Sequence, residues 1–468
     1  MRKRDSNARL LAAWITSISV TQALACDPSV QSERPCPESN LPTLVGAQYT
    51  FISQHQSRLT SPYQGALSLD PNGDTQQTHT IGLYLGWALT RWAQIYLDTE
   101  KFMGAGVSNS VGLAGLTNGD VVREGAAGLP KVFYIARQYV RLMLPLAPDT
   151  TRMERAQDQL PGTEAAMRLE LKFGLLAAND DFDHNRYASS ARTQFMNWSL
   201  WDNTAWDYAA DTRGYTYGAV FGFVSPRWSL KYGAYLMPVR ANGQKLEDAP
   251  RRARGDNLEL TLSPGQSGTV IRLLAYRNLA RMGYYREALQ IAAERGAAPD
   301  IAADEREGRQ KYGFGVNVEQ PLADEGETGV FARVGWNDGK TESFAFTEVD
   351  RLLSFGGQLS GSHWRRTEDR AGAAVAIEGL SDPHRDYLAA GGSGFLLGDG
   401  TLNYAHEQIF DLYYRAELPW PLNGSSRVFQ KYPLKIQITP DFQYVRNPGY
   451  NQDRGPVRFW AVRFHLEL

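Results

Sequence analysis

Charged side chains of both signs recur at every second position in several stretches of this 468-residue chain. The clearest case is Arg168, Glu170 and Lys172 in the stretch MRLELKF. A guanidinium offers a rigid fork of hydrogen-bond donors, and a nearby carboxylate accepts hydrogen bonds and balances the charge. Together such groups could exchange hydrogen bonds with hydroxyl groups, or they could pair with one another as a salt-bridged surface. For any single residue we expect the second role, and the set is more informative than its members.

The same alternation selects further candidates along the chain. Arg137 and Arg141 share a phase in ARQYVR, and Arg333 lies between apolar neighbours in VFARV. The full set that we expect on one polar, water-facing surface is Arg137, Arg141, Arg168, Glu170, Lys172, Arg333, Asp411, Arg415, Glu417, Lys435 and Asp441.

A period of two identifies the elements that hold these residues as β-strands with one apolar and one polar face. TIGLYLGWALT and LKIQITPDFQY show the alternation, and so does RFWAVRFHLEL at the end of the chain. Gly, Pro, Asn or Asp closes most such stretches after about ten residues, as in a series of antiparallel strands. One stretch departs from the pattern: YYREALQIAAERG, residues 284–296, has helical spacing and predicts a short helix in a connection.

A soluble β-sandwich would also have amphipathic strands, with its polar faces in solvent. Two features favour a membrane barrel instead. The polar faces carry both signs of charge in balanced clusters, which suits a water-filled interior. Aromatic residues also gather near strand ends, as in the girdles at membrane interfaces. The examples are Trp87, Trp92, Tyr413, Tyr414, Trp420 and Trp460.

In lipid every backbone polar group must be paired, so a spanning sheet must close on itself. We therefore expect the last strand to meet a first strand at Leu44–Gln54. At roughly 25 residues per strand and turn, the chain from Pro42 onward accommodates about 16 or 18 strands, enough for an aqueous channel. The sequence predicts an all-β fold: a closed antiparallel transmembrane barrel over residues 42–468 whose long loops narrow the lumen.

Composition excludes several function classes. Lys and Arg total 49 against 51 Asp and Glu, which gives no reason to expect a nucleic-acid partner. A mean hydropathy of −0.41 argues against a set of helical membrane spans. The seven histidines show no metal-binding spacing, and no Gly-x-Ser-x-Gly elbow is present. We expect no enzyme, no metal and no cofactor, although a barrel-borne hydrolase remains an alternative.

The start of the chain predicts export. Residues 1–25 combine basic residues, an apolar stretch and Ala23-Leu24-Ala25, as in a secretory signal peptide. Residues 26–41 would then form an N-terminal periplasmic segment. It contains the two cysteines of the chain, Cys26 and Cys36, which would most simply form a disulfide in an oxidising compartment. A lipid on Cys26 is the competing interpretation, but it would leave Cys36 as an unexplained free thiol.

Three stretches resemble a known family. They are GLAGLTNGDVVR (residues 112–123), RTQFMNWSLWDNTAWDYAADTRGYTYG (192–218) and KYGFGVNVEQPL (311–322). They are similar to the carbohydrate-selective porins of the OprB type. The resemblance implies a 16-stranded barrel in the outer membrane of a Gram-negative bacterium. It also implies facilitated diffusion of monosaccharides, often glucose, without energy input.

The resemblance adds two constriction candidates, Asp120 and Arg123, in the first of these stretches. In the second, Trp198, Trp201 and Trp206 are expected to be packing anchors more than stacking surfaces for a sugar. The implied partners are outer-membrane lipids, small sugars and the barrel-assembly machinery, which would engage the last strand. That strand ends on Leu468 where such barrels usually end on Phe.

Three alternatives stay open at this point besides the hydrolase. A general porin or a polyol porin would share the same lining. A polysaccharide exporter would show an interior of one charge sign, and the predicted lining is mixed. The residues do not decide between a monomer and an oligomer.

Overall fold

The computed structural model describes residues 41–121, 129–265, 267–344, 347–419 and 433–468. The predicted signal peptide, Cys26, Cys36, Arg123 and Trp420 lie outside the described residues. Within them, sixteen strands form a closed antiparallel barrel, and a two-stranded hairpin lies between the fourth and fifth barrel strands. The predicted fold class and strand number are therefore confirmed.

The barrel strands are β1 (Thr43–Gln56), β2 (Asp74–Thr90), β3 (Ala93–Gly104), β4 (Tyr134–Pro145), β7 (Arg168–Leu176), β8 (Thr216–Val224), β9 (Trp228–Leu236), β10 (Arg254–Leu262), β11 (Val270–Met282), β12 (Arg306–Ala323), β13 (Thr328–Asn337), β14 (Arg351–Ser360), β15 (Arg370–Gly379), β16 (Glu407–Leu418), β17 (Lys435–Arg446) and β18 (Val457–Glu467). The hairpin strands are β5 (Thr150–Met153) and β6 (Gly162–Ala165).

The first and last strands close the barrel, as the sequence predicted. β1 pairs with β18 in an antiparallel register that sets Gln48 opposite Glu467 and Phe51 opposite Phe464. The chain end takes part in this seam, because the Leu468 backbone N–H donates to the Ala47 carbonyl at 2.9 Å. No unpaired strand edge is left at this junction, as a sheet in lipid requires.

The alternation sorts side chains between outside and inside. On β18, Val462 is 50% exposed and Arg463 is fully buried, although they are neighbours in sequence. Such a belt of exposed apolar side chains would be unfavourable in water and suits contact with acyl chains. Trp87, Trp92 and Trp460 lie on this outer surface. Tyr413 does not, contrary to its assignment to an aromatic girdle: it points inward, and its hydroxyl donates to Gln358 at 3.0 Å.

The two ends of the barrel differ in the length of their connections. At one end β2 turns into β3 through residues 91–92, and β8 into β9 through residues 225–227. At the other end the connections are long, among them residues 105–133, 177–215 and 380–406. In outer-membrane barrels short turns face the periplasm and long loops face outward, which assigns the two ends.

Helices occur only in the connections of the described chain. The α-helices are α1 (Trp198–Trp201), α2 (Tyr285–Arg295) and α3 (Asp382–Ala389), and the 3₁₀ turns are Val107–Ser110, Ala178–Asp180, Ile301–Asp304, Asp324–Gly326, Gly361–Trp364 and Pro448–Tyr450. Helix α2 is the predicted helix, and it ends at Gly296, whose φ of 63° suits glycine. No helix in the described ranges is long and apolar enough to cross a membrane.

One outer loop folds back into the barrel. Residues 182–212, here called the inner segment, are mostly buried and pack inside the wall formed by β10 to β18. Buried Arg333 of β13 holds it through Asp183 at 2.8 Å and the Leu200 carbonyl at 2.7 Å. On the next strands Thr204 donates to Glu378 at 2.6 Å. The inner segment thus fills one side of the lumen and leaves the other side open.

Candidate functional site

The open side of the lumen is a cavity of about 950 Å³. Its outer wall is formed by β3, β4, β7 and β9, and its inner wall by the inner segment. Residues 119–121 of the preceding outer loop also contribute. A cavity of this size is at the upper end of the range for small-molecule sites, which is about 300 to 1,000 Å³.

Basic side chains project into this cavity from alternate positions on two adjacent strands. Arg137 and Arg141 lie on β4, and Arg168 and Lys172 lie on the neighbouring β7. The register sets Arg141 opposite Lys172, so the basic groups form a compact patch on the wall. Lys231 of β9 extends it.

Carboxylates neutralise this patch. Asp180 accepts two hydrogen bonds from Arg137, at 2.6 and 2.8 Å, which is the geometry of a bidentate pair. Glu170 accepts from Arg141 at 2.6 Å, and Asp181 accepts from Lys172 at 2.9 Å. Arg137, Arg141 and Lys172 are therefore each oriented by a carboxylate partner.

A second ion group joins the outer loop to the inner segment. Arg192 donates to Asp120 at 2.8 Å and to Glu100 of β3 at 3.0 Å. Burial raises the pKa of Asp120, and the charge of Arg192 opposes that shift. The Tyr215 hydroxyl donates to Glu100 at 2.6 Å. This group spans the cavity between the strand wall and the two loops.

The cavity as a whole is close to neutral. The basic side chains on its lining are Arg137, Arg141, Arg168, Lys172, Arg192, Arg213 and Lys231. The acidic ones are Glu100, Asp120, Asp158, Glu170, Asp180 and Asp181. Seven cations against six carboxylates leave a formal charge of +1. Such a lining offers many donors and acceptors without a strong field of one sign.

Aromatic rings border the same space. Trp198 and Trp201 of the inner segment lie with ring centroids 5.0 Å apart at the cavity wall. Trp206 is buried away from it, where its indole N–H donates to Asn257 at 2.9 Å. Trp206 is a packing residue, as the sequence predicted. Trp198 and Trp201 pack against each other and also face the cavity. On the opposite wall the Lys172 Nζ atom lies 4.4 Å from the centroid of the Tyr139 ring, in a cation–π contact.

The structure brings part of the predicted set together. The residues that line the cavity are Arg137, Arg141, Arg168, Glu170, Lys172 and Asp120. The others point into the barrel from β13, β16 and β17 but lie away from the cavity. Arg333 and Asp411 bind the backbone of the inner segment, and Arg415 donates to the Thr193 carbonyl at 3.1 Å. Asp441 is buried beneath the same segment and accepts from Gln443.

Two more of the set lie near the periplasmic rim. Glu417 accepts from Gln437 at 3.1 Å, and Lys435 is exposed at the first residue of β17. These residues have the inward phase that the alternation predicts. They miss the cavity because β16 and β17 lie away from β3, β4, β7 and β9, which form its wall.

Several lining residues were not predicted, among them Glu100, Asp180, Arg192 and Lys231. Lys231 and Glu100 lie on strands, and the alternation in WSLKYGAYL and AQIYLDTEK was a signal that could have found them. Asp180 and Arg192 lie in connections, where strand phase gives no information. No group of three or more His, Cys, Asp or Glu among the described residues could hold a metal ion.

Comparisons with known proteins identify the family and the fold. Residues 68–468 match the family model described as carbohydrate-selective porin, OprB family. A high-pH structure of Pseudomonas putida OprB is similar over 91% of this chain and 94% of that chain, with a TM-score of 0.64 and 15% identity. That likeness shows the fold. No curated protein matches by sequence.

Two further solved structures are less similar. The outer membrane channel DcaP of Acinetobacter baumannii has a TM-score of 0.46 and 10% identity, over 92% of this chain and 99% of that chain. The low-pH structure of Pseudomonas putida OprB has a TM-score of 0.45 and 10% identity, over 91% and 93%.

Proposed function

The chain belongs to the carbohydrate-selective porins of the OprB family, and from this premise we propose that its cavity is the path by which monosaccharides such as glucose diffuse across the membrane. The protein is an outer-membrane porin for carbohydrates in a Gram-negative bacterium. The identity of the sugar, the residues that it meets and the absence of an energy input are parts of the proposal.

The observation that supports this most directly is the paired and nearly neutral lining. Each guanidinium has five donors, so Arg137 keeps donors for a passing hydroxyl while Asp180 holds it in place. Carboxylates such as Glu170 accept from hydroxyl groups in the same way. A neutral, many-hydroxyl molecule can satisfy both kinds of group, whereas a small ion of either sign meets charges that are already paired.

Binding inside such a channel must stay weak. A solute has to enter favourably and leave quickly, so we expect an affinity in the millimolar range, about −4 kcal/mol. The Trp198 and Trp201 rings at the cavity wall add an apolar surface for the C–H face of a sugar ring. Movement along the concentration gradient needs no further machinery, and we propose a channel without enzymatic activity.

Two partners are also part of the proposal. β18 forms the barrel seam with β1, so its register must be set during assembly, and the barrel-assembly machinery would engage it there. The belt of apolar side chains around the barrel would contact lipid or, in an oligomer, another barrel.

Swelling of liposomes that contain the purified protein tests the proposal. We expect hexoses and pentoses to enter faster than disaccharides, and faster than amino acids of similar size that carry net charge. Equal rates for sugars and charged amino acids of the same size would reduce the assignment to a general porin. Empty liposomes and liposomes with heat-denatured protein are the controls.

A further inference from the structure

The connection between β4 and β7, residues 146–167, is unusual for its end of the barrel. It lies with the short turns 91–92 and 225–227, yet it is long and contains the strands β5 and β6. It is called here the periplasmic hairpin. It is much longer than a turn that only reverses the chain direction, which is what most connections at this end of an outer-membrane barrel do.

The periplasmic hairpin folds into the barrel mouth. Leu160 is buried, and its backbone N–H donates to the Tyr96 hydroxyl of β3 at 3.2 Å. At its other side Glu164 accepts from Arg141 of β4 at 2.5 and 2.9 Å. The hairpin is thus attached to the cavity wall by both apolar and ionic contacts.

The tip of the hairpin, Ala156 to Gln159, lines the cavity. Asp158 stands at the tip with a φ of 55°, a left-handed conformation that costs energy for a non-glycine residue. Its carboxylate lies 3.4 Å from Arg137 Nε. Gln157 next to it donates to Asp98 of β3 at 3.4 Å. The tip therefore places polar groups directly below the basic patch, at the side from which a solute leaves.

We propose that the hairpin tip is the exit-side constriction of this porin and that Asp158 is a specificity residue that keeps anionic sugars out. Arg137 faces three carboxylates, and two of them, Asp98 and Asp180, do not belong to the hairpin. Removing the charge of Asp158 raises the formal charge of the lining from +1 to +2, at the periplasmic end of the cavity. The inference rests on the proposed sugar permeation and deepens it.

A purely structural role for the hairpin is the competing explanation. Arg155 donates to the Val45 carbonyl at 2.8 Å and to the Leu468 carbonyl at 2.9 Å, so the hairpin also stabilises the junction between β1 and β18. If the hairpin had only this stabilising role, its variants would be less stable but would admit the same solutes. The test must therefore read selectivity separately from stability.

The decisive comparison is Asp158→Asn against Glu154→Gln. Glu154 lies on the same hairpin and pairs with Arg152, but its side chain is 77% exposed and outside the cavity. Both variants lose one negative charge. Their reversal potentials in a salt gradient across a planar bilayer, and their uptake of glucose and gluconate in liposomes, are measured with correct folding checked by heat-modifiable gel mobility.

We expect Asp158→Asn to shift the reversal potential toward anions and to raise gluconate uptake about threefold, with glucose uptake unchanged. Glu154→Gln is expected to behave as wild type. The inference is overturned if the two variants have the same selectivity. If Asp158→Asn does not fold, Gln159→Glu replaces it, and a shift toward cations is the expected result while no shift overturns the inference.

The experiment also distinguishes failure of the proposed sugar permeation from failure of the proposed role of Asp158. If the wild type admits no sugar at all, sugar permeation is wrong for this chain. The reversal potentials still decide whether the tip controls the charge of the permeating species.

Discussion

At the scale of single residues, the chemistry of the cavity comes from pairing. Arg137 with Asp180, Arg141 with Glu170 and Lys172 with Asp181 are fixed partners. A fixed pair loses little side-chain freedom when a solute arrives, so weak hydrogen bonds suffice for recognition. The strand members of these pairs could be read from alternation in the sequence. Their loop partners could not, because nothing local fixes where Asp180 or Asp181 points.

The contribution of the Asp120 carboxyl group to stability depends on pH. Burial raises its pKa, and Arg192 and Glu100 are the charged groups that face it. In the folded state it therefore binds a proton at a higher pH than in the unfolded chain, and its contribution to stability falls as pH rises through the folded-state pKa. We therefore expect the free energy of unfolding of Asp120→Asn, relative to that of wild type, to be higher at pH about 7 than at pH about 4.

The measurement is the urea midpoint of both proteins at the two pH values, followed by tryptophan fluorescence. Glu154→Gln serves as the control, because its site is exposed. A difference between Asp120→Asn and wild type that does not change with pH, or that changes in the opposite direction, would contradict the argument.

At the scale of elements, the inner segment decides which part of the lumen conducts. The strands follow from local pattern, and alternation predicted the inward phase of β4, β7, β13, β16 and β17 correctly. The packing of the inner segment depends on contacts between distant parts of the chain. Arg333 reaches Asp183 across 150 residues, and Asn197 reaches Asp411 across 214. No short window of sequence contains that information, which is why four of the eleven predicted lining residues, Arg333, Asp411, Arg415 and Asp441, lie against the inner segment instead of the cavity.

Arg333 of β13 is a buried attachment point of the inner segment. Replacing it with Met leaves Asp183 buried without its cation and frees three backbone carbonyls, at Asp183, Leu200 and Ala188. Breaking a buried pair from one side costs on the order of 3 kcal/mol, so the inner segment should detach. We expect a larger single-channel conductance and loss of discrimination between hexoses and disaccharides.

Arg281→Met is the matched control. Arg281 also pairs with a carboxylate, Glu305 at 3.2 Å, but its side chain is 56% exposed. Exposed pairs contribute about 0 to 1 kcal/mol, so conductance and sugar discrimination should stay as in wild type. An Arg333→Met channel that matches this control would show that the inner segment is held by other contacts.

At the scale of the whole molecule, the barrel separates two solvents. Its outer surface presents exposed apolar residues such as Leu83 and Val462, and its interior buries charged residues such as Arg463. This separation follows from a period of two and from closure of the sheet, and both were predictable from the sequence. The asymmetry of the lumen, with one filled side and one open side, was not, because it arises from loop folding.

We propose that the open side of the lumen is a nearly neutral aqueous path which holds neutral sugars weakly while they pass. The most direct measurement is the ion current through a single reconstituted barrel as glucose is titrated. We expect a partial and saturable decrease of the current, with half of the effect at a glucose concentration on the order of millimolar. A current that stays constant up to saturating glucose, apart from the change expected from solution viscosity, would contradict it.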